Sequence, residues 1–289
     1  MIQVKKYPKN PILVPLLNRK ENSAYNPGAV VDQNKVFLFY RSEKGLPEKA
    51  TSEIWLAKSN DGFNFRRIKE NPVIKREKVY EKMGCEDPRV VKINSEFFLT
   101  YTAYQGRDKK GGYKIRLMGA FSKDGKNWKK FPIFFGEKSG ILIPNYKWEG
   151  NFVMYFGGQK IGLAISKNLK KWKIVTKDLF LPRSGNFFDN HLVEGGPPAL
   201  VRNDGLWLFY NARNKLGQFS VGLAIFDKRN PAKLLKRFPK PILRPEFYWE
   251  RYGKIDDTVF ATGLINFKGK WLLYYGGADK AIGVAEIFF

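Results

Sequence analysis

The chain has 289 residues with 43% hydrophobic and 16% aromatic content, enough for a sizeable core, so a disordered chain is excluded. Its apolar runs, such as Trp207 to Tyr210 and Trp271 to Tyr275, are far shorter than the ~20 residues a membrane span needs. Fifty-two Lys and Arg against 27 Asp and Glu give a formal charge of +25. The charge is dispersed, which reads as a solvated surface and not as the clustered footprint of a nucleic-acid face.

The opening MIQVKKYPKN has no apolar stretch, so no secretory leader is expected, and the cytoplasm is the expected compartment. Cys85 is the only cysteine and His191 the only histidine. No intramolecular disulfide can form, and neither a zinc site nor a nucleotide cofactor is expected. Cys85 reads as a small buried hydrophobe. His191 lacks a nucleophile motif to serve and reads as structural or as a rim residue touching substrate.

In chain order, five segments share one pattern: a Gly/Pro-containing strand, a polar turn and an aromatic-rich strand. They cover 26–41, 87–104, 140–158, 195–213 and 257–277. The second strands carry Tyr40, Tyr101, Tyr155, Tyr210 and Tyr274. Asp32-Gln33-Asn34, Asn203-Asp204-Gly205 and Lys268-Gly269 supply hairpin-turn chemistry. A third strand follows each pair, at 54–59, 116–122, 161–166, 221–226 and 282–287. Three of these run into a common turn, SNDGFNF, SKDGKNW and SKNLKKW, in which Asp or Asn bonds its own backbone and an aromatic packs back. A fourth element recurs as NPILVP, NPVIKR, FPIF, LP and KPILRP, the first belonging to the closing unit or its seam. Five strand-rich repeats with hardly any helical periodicity predict an all-β, five-bladed β-propeller, with residues 1–289 forming a single catalytic domain.

In such a fold, polar residues at the start of the inner strands face one mouth. They are Asn26, Glu86-Asp87, Glu194 and Asp256-Asp257, while the third unit offers only Ser139 and Gly140. Carboxylates converging from different blades are the equipment of glycoside cleavage: one protonates the leaving oxygen and the other activates water or attacks the sugar. Arg41 and Arg89 can hold hydroxyls or orient carboxylates. Each acid taken alone could equally be a turn or strand-end residue.

Asn26-Pro27, Tyr40-Arg41, Glu86-Asp87-Pro88-Arg89, Gly196-Pro197-Pro198, Thr262-Gly263 and Tyr275-Gly276-Gly277-Ala278-Asp279 resemble the motifs of glycoside hydrolase family 130. The resemblance covers nearly the whole chain. It implies a five-bladed propeller acting on β-mannosides with inversion, Asp87 as general acid, and Asn26, Arg41 and Asp279 lining the sugar subsite. No metal and no cofactor are expected.

Three positions depart from the phosphorolytic members of the family. Tyr210-Asn211-Ala212 stands where they carry Tyr-His-Gly, Phe156-Gly157 where they carry His-Arg, and Glu194 where they carry a basic residue before the GPP run. A phosphate dianion needs converging cations. The expectation is therefore an inverting glycosidase on β-1,2-linked manno-oligosaccharides, with Glu194 as general base. Arg89, His191, Arg213, Asp257 and Asp279 join Asn26 and Arg41 as substrate-binding candidates. A phosphorylase using Arg213 and Lys215 for phosphate is the alternative, and a non-catalytic sugar-binding propeller the second. Neither nucleic acid nor a membrane is an expected partner.

Overall fold

The computed structural model describes residues 2–17, 21–46 and 49–289, and the described chain is almost entirely antiparallel β. Strand β1 (Gln3–Lys6) opens it. A first unit contains β2 (Glu21–Asp32), β3 (Lys35–Lys44), β4 (Thr51–Ser59) and β5 (Arg66–Arg67). A second contains β6 (Gly84–Ile93), β7 (Glu96–Arg107), β8 (Tyr113–Ser122) and β9 (Lys129–Phe135). The third runs through β10 (Ile141–Leu142), β11 (Phe152–Phe156), β12 (Ile161–Ser166) and β13 (Lys173–Phe180). In the fourth, β14 (Leu192–Gly195) and β15 (Leu200–Arg202) both pair with β16 (Gly205–Arg213), followed by β17 (Phe219–Phe226) and β18 (Leu234–Arg237). After a one-turn helix α1 (Tyr248–Arg251), the fifth is β19 (Val259–Phe267), β20 (Lys270–Gly277) and β21 (Ala281–Phe288), and β1 returns to pair with β21 as its outer strand. One parallel pairing, Ser52 with Gly84, links the first two units, and no sheet closes on itself.

The local chemistry behaves as its residues dictate. Gln33-Asn34, Asn94-Ser95 and Lys268-Gly269 take positive φ at both positions of two-residue turns, the twist that matches antiparallel strands. In the recurring turn, Asp61 Oδ1 accepts the N–H groups of Phe63 and Asn64 at 2.8 Å, and Asp124 Oδ1 does the same for Lys126 and Asn127. The proline-containing segments at 10–15, 71–76 and 240–245 hook onto the third strands through bridges from Leu13 to Ile282, Ile74 to Ile54 and Leu243 to Val221. The FPIF segment instead lies inside β9.

The core explains how the units sit. Apolar clusters join the first unit to the second (Phe39 with Leu99), the second to the third (Leu117 with Met154) and the third to the fourth (Tyr155 with Leu208). Further clusters join the fourth to the fifth (Phe209 with Leu273) and the fifth back to the first (Tyr274 with Leu38). Each unit therefore buries both faces of its sheet.

Four units also share a polar pin that the sequence does not announce. A carboxylate with a fully buried side chain, on the segment entering the unit or, for Glu21, at the first residue of β2, meets a cation from that unit's outer strand and a hydroxyl of its second strand. Glu81 accepts from Tyr101 at 2.7 Å and pairs with Lys130 at 2.9 Å. Asp189 accepts from Tyr210 at 2.7 Å and pairs with Arg237 at 2.6 Å. Glu250 accepts from Tyr275 at 2.8 Å and pairs with Lys6 at 2.6 Å. Glu21 accepts from Ser42 at 2.7 Å and pairs with Arg67 at 3.1 Å, while Arg67 Nε also reaches the Tyr40 hydroxyl. In the third unit the tyrosine hydroxyl goes to the Pro231 carbonyl instead.

Removing one partner of such a pair leaves a buried charge uncompensated. Asp189→Asn strands Arg237 and Arg183 and should cost about 3 kcal/mol, read from urea unfolding. Acid should also weaken the fold. Burial opposes ionisation of Glu81, yet the Tyr101 hydroxyl, the Glu77 N–H and Lys130 together hold its carboxyl below the usual value. A group depressed on folding contributes stability that is present above its unfolded value, ~4.3, and lost as the pH falls through the lower folded value. The melting temperature should accordingly drop between pH 5 and pH 3. Glu81→Gln should flatten part of that drop; an unchanged profile would refute the contribution.

Candidate functional site

The first strands of two units bend where Asn26 and Asp87 sit. In β2 the ladder slips between Tyr25 and Gly28, and in β6 between Glu86 and Arg89. The displaced residues are Asn26 and Asp87, with φ of 48° and 54°, each followed by proline. Asn and Asp tolerate this left-handed conformation best among residues with a Cβ. Strained backbone of this kind, over-determined by its surroundings, gathers at functional sites. Gly28 lets the two bulges meet: a Cβ there would lie 2.6 Å from the Pro88 carbonyl oxygen.

The meeting produces a carboxylate held from two sides. Asn26 donates its amide to Asp87 Oδ1 at 2.7 Å, and Arg41 approaches the same oxygen at 3.4 Å. Arg41, on β3, is shared further: Nε donates to Ser52 at 2.8 Å, and Nη2 reaches Glu86 at 2.8 Å and Glu43 at 3.2 Å. Glu43 is itself held by Lys254 at 2.7 Å and by the Tyr25 hydroxyl at 2.9 Å.

Glu194, on β14, forms the second centre and is 3% exposed. Ser139 donates to its Oε1 at 2.5 Å and Lys138 pairs with the same oxygen at 2.8 Å. Neither contact uses Oε2. Arg89 ties the two centres together. Its guanidinium donates to the carbonyl oxygens of Asp87, Gly195 and Gly196 at 2.9, 2.5 and 2.9 Å. Lys138 and Arg89 both lie in the fields of Asp87 and Glu194, so the two carboxyls belong to one electrostatic group.

Burial works against every charge here, and the neighbours decide the outcome. Asp87 is driven up by burial but brought net below its ordinary value by Arg41, then Lys138, Arg89 and the Asn26 amide. Glu86 is pushed up to about 7 by burial, with the charges of Asp87 and Glu43 adding to it against Arg41 and Lys138. Asp279, on the turn after β20 with φ 49°, is raised to about 6 by burial and by the charges of Asp87 and Glu43, against Arg41 and Lys254.

Of the residues singled out in the sequence, Asn26, Arg41, Asp87 and Asp279 are thus gathered around one guanidinium, with Glu194 and Arg89 adjoining. Arg89 spends its donors on protein carbonyls. His191 and Asp257 are exposed and Arg213 is half-buried. His191 and Asp257 make backbone bonds to Arg213 and to Arg251 and Phe219, while Arg213 Nε reaches the Gly217 carbonyl at 3.3 Å. Among the described residues, no hydrogen bond or ion pair joins these three side chains to the group around Arg41. Asn211 is a fully buried brace, bonding the carbonyls of Gly195 and Ala261 and accepting the Ala261 N–H. Sequence reasoning missed Lys138, one residue before the Ser139 it considered, and Glu43, whose signal was its place two residues beyond Arg41 on the same strand face. Lys254 gave no signal, because only the fold brings it to Glu43.

Buried carboxyls with amide, ammonium and guanidinium groups around them can exchange protons and hold a polar ligand. The profile of a family described as β-1,4-mannooligosaccharide phosphorylase matches residues 6–289. The chain is 32% identical to a β-1,2-mannobiose phosphorylase of Thermoanaerobacter sp. (strain X514), covering 99% of this chain and 98% of that protein. It is 34% identical to a 1,2-β-oligomannan phosphorylase of the same organism, over 99% and 97%. A solved structure with TM-score 0.88 and 30% identity, over 98% and 93%, is described in the words that the GH130 family of mannoside phosphorylases contains glycoside hydrolases that target β-1,2 mannosidic linkages in Candida mannan. With the family profile matched along nearly its whole length, the chain belongs to glycoside hydrolase family 130.

Proposed function

We propose that residues 1–289 form a single catalytic domain, a five-bladed β-propeller, that cleaves β-1,2-linked mannosides with inversion and uses water as the nucleophile. The cyclic order of the apolar clusters, first unit to fifth and back to first, supports radial blades around one site. Asp87 protonates the glycosidic oxygen, directly or through a sugar hydroxyl, as the bond breaks. Glu194 takes the proton of the attacking water. Asn26, Arg41 and Asp279 hold the sugar that carries the anomeric carbon.

The observation that carries the choice of water is the anchoring of Glu194. Ser139 and Lys138 fix Oε1, so Oε2 is left for the nucleophile. Lys138 supplies the countercharge that keeps a carboxylate tolerable at that depth. A phosphate dianion at the same place would face that carboxylate and would have to displace it from Lys138.

Phosphorolysis is the second reading. It is favoured by the names of the relatives at 32% and 34% identity and by the two cations, Lys138 and Arg89, beside Glu194.

Product analysis separates the two. β-1,2-Mannobiose with and without about 10 mM phosphate, above the usual KM range, should yield free mannose at one unchanged rate. Mannose 1-phosphate as the main product would overturn the hydrolytic reading. Asp87→Asn and Glu194→Gln should each lower kcat by about a hundredfold or more while sugar binding, followed by calorimetry, persists. Binding of manno-oligosaccharides by the wild type with no turnover would establish a lectin-like module instead.

A further inference from the structure

An acid that delivers a proton must first hold one, and Asp87 is gripped as a carboxylate by Asn26 and Arg41. Charge balance places a proton nearby. Five carboxyls (Glu43, Glu86, Asp87, Glu194, Asp279) share the site with four cations (Arg41, Arg89, Lys138, Lys254). Lys254 is committed to Glu43 and Lys138 to Glu194. Arg41 is left between Glu86 and Asp87, two consecutive buried carboxyls on one guanidinium. Glu86 is seated there by its own strand: its side chain folds back over Gly84, where a Cβ would lie 2.5 Å from Oε1.

Resting on the reading of Asp87 as the acid, we propose that Glu86 and Asp87 share one proton across Arg41. Glu86 is the positioning residue that keeps this proton on the pair until Asp87 delivers it. Glu86 is faced by Arg41 and Glu43 of β3, Asp87 of its own strand, Tyr104 of β7 and Lys138 ahead of β10. Its carboxyl, raised to about 7, retains a proton at a pH where Asp87 has none. In the cycle the pair gives up its one proton from Asp87 to the glycosidic oxygen as the C–O bond breaks, leaving Glu86 and Asp87 both ionised on Arg41. Water bonds the anomeric carbon and gives its proton to Glu194; Glu194 then releases that proton to solvent, and the pair is reprotonated from solvent. Asn26 Oδ1, buried beside Asp87 without a partner, is left to accept a sugar hydroxyl.

The test has one arm without substrate and one with it. In protein carrying 13C-labelled Glu carboxyls, one signal should titrate near 7, vanish in Glu86→Gln, and move down by about one unit or more in Asp87→Asn, which leaves Glu86 in place. In the rate arm, the alkaline limb of kcat/KM should shift to lower pH in Glu86→Gln, with a loss of about tenfold or more at pH 7 and KM within about threefold. A wild type with no Glu signal titrating above 6, or an alkaline limb unmoved in Glu86→Gln, overturns the proposal. A wild type that shows the titration but cleaves no mannoside supports the shared proton and overturns the functional reading instead.

Discussion

The Arg41 guanidinium is a cation withdrawn from water at the junction of the first two units, where it meets Ser52, Glu43, Glu86 and Asp87. Burial of that charge is costly unless good geometry offsets it. Here the geometry comes from three strands: β3 supplies the cation, β4 the hydroxyl and β6 two consecutive carboxyls. The consequence runs in both directions. Arg41 holds the Asp87 carboxyl below its ordinary value, while burial, helped by the other carboxyls, raises Glu86 and Asp279 above theirs. Removing this cation would alter the charge state of the whole site.

Rigidity for such a constellation has to come from the scaffold, and it is built in polar as well as apolar terms. The clusters between units fix which sheets touch. In four units the buried carboxylate pins fix how the start of the unit sits against its own sheet, so that the first strand begins at a defined height. Arg89 and Asn211 do the same between units by bonding carbonyl oxygens across the inner strands. Positions resembling sugar-contacting or phosphate-contacting residues thus act on the backbone that carries those residues.

Much of this was legible in the residues. The repeated tyrosine strands, the Asn/Asp turns and the proline hooks are local devices, and each operates through its own neighbours, so the pattern and the structure agree. The positions of Asn26 and Asp87 were legible for the same reason, because bulges before proline are written in adjacent residues, and Glu194 was legible from the Gly-Gly-Pro-Pro run that follows it. His191, Arg213 and Asp257 were placed by proximity in sequence to those strands. Incomplete burial sets them apart from the buried group, His191 and Asp257 being exposed and Arg213 half-buried, and burial is not encoded within a few residues.

The sequence alone therefore determined the strand content, the repeated strand pattern, the family and the carboxylates on the strands that open the units, since all of these follow from short-range chemistry. Only the tertiary structure decided which charges face each other. Lys254 reaches Glu43 across 211 residues, and Lys138 reaches Glu194 from the neighbouring unit. Arg41 spans from one unit to the Glu86-Asp87 pair of the next. Electrostatic energies depend on distance and burial in space, and chain separation carries no information about either.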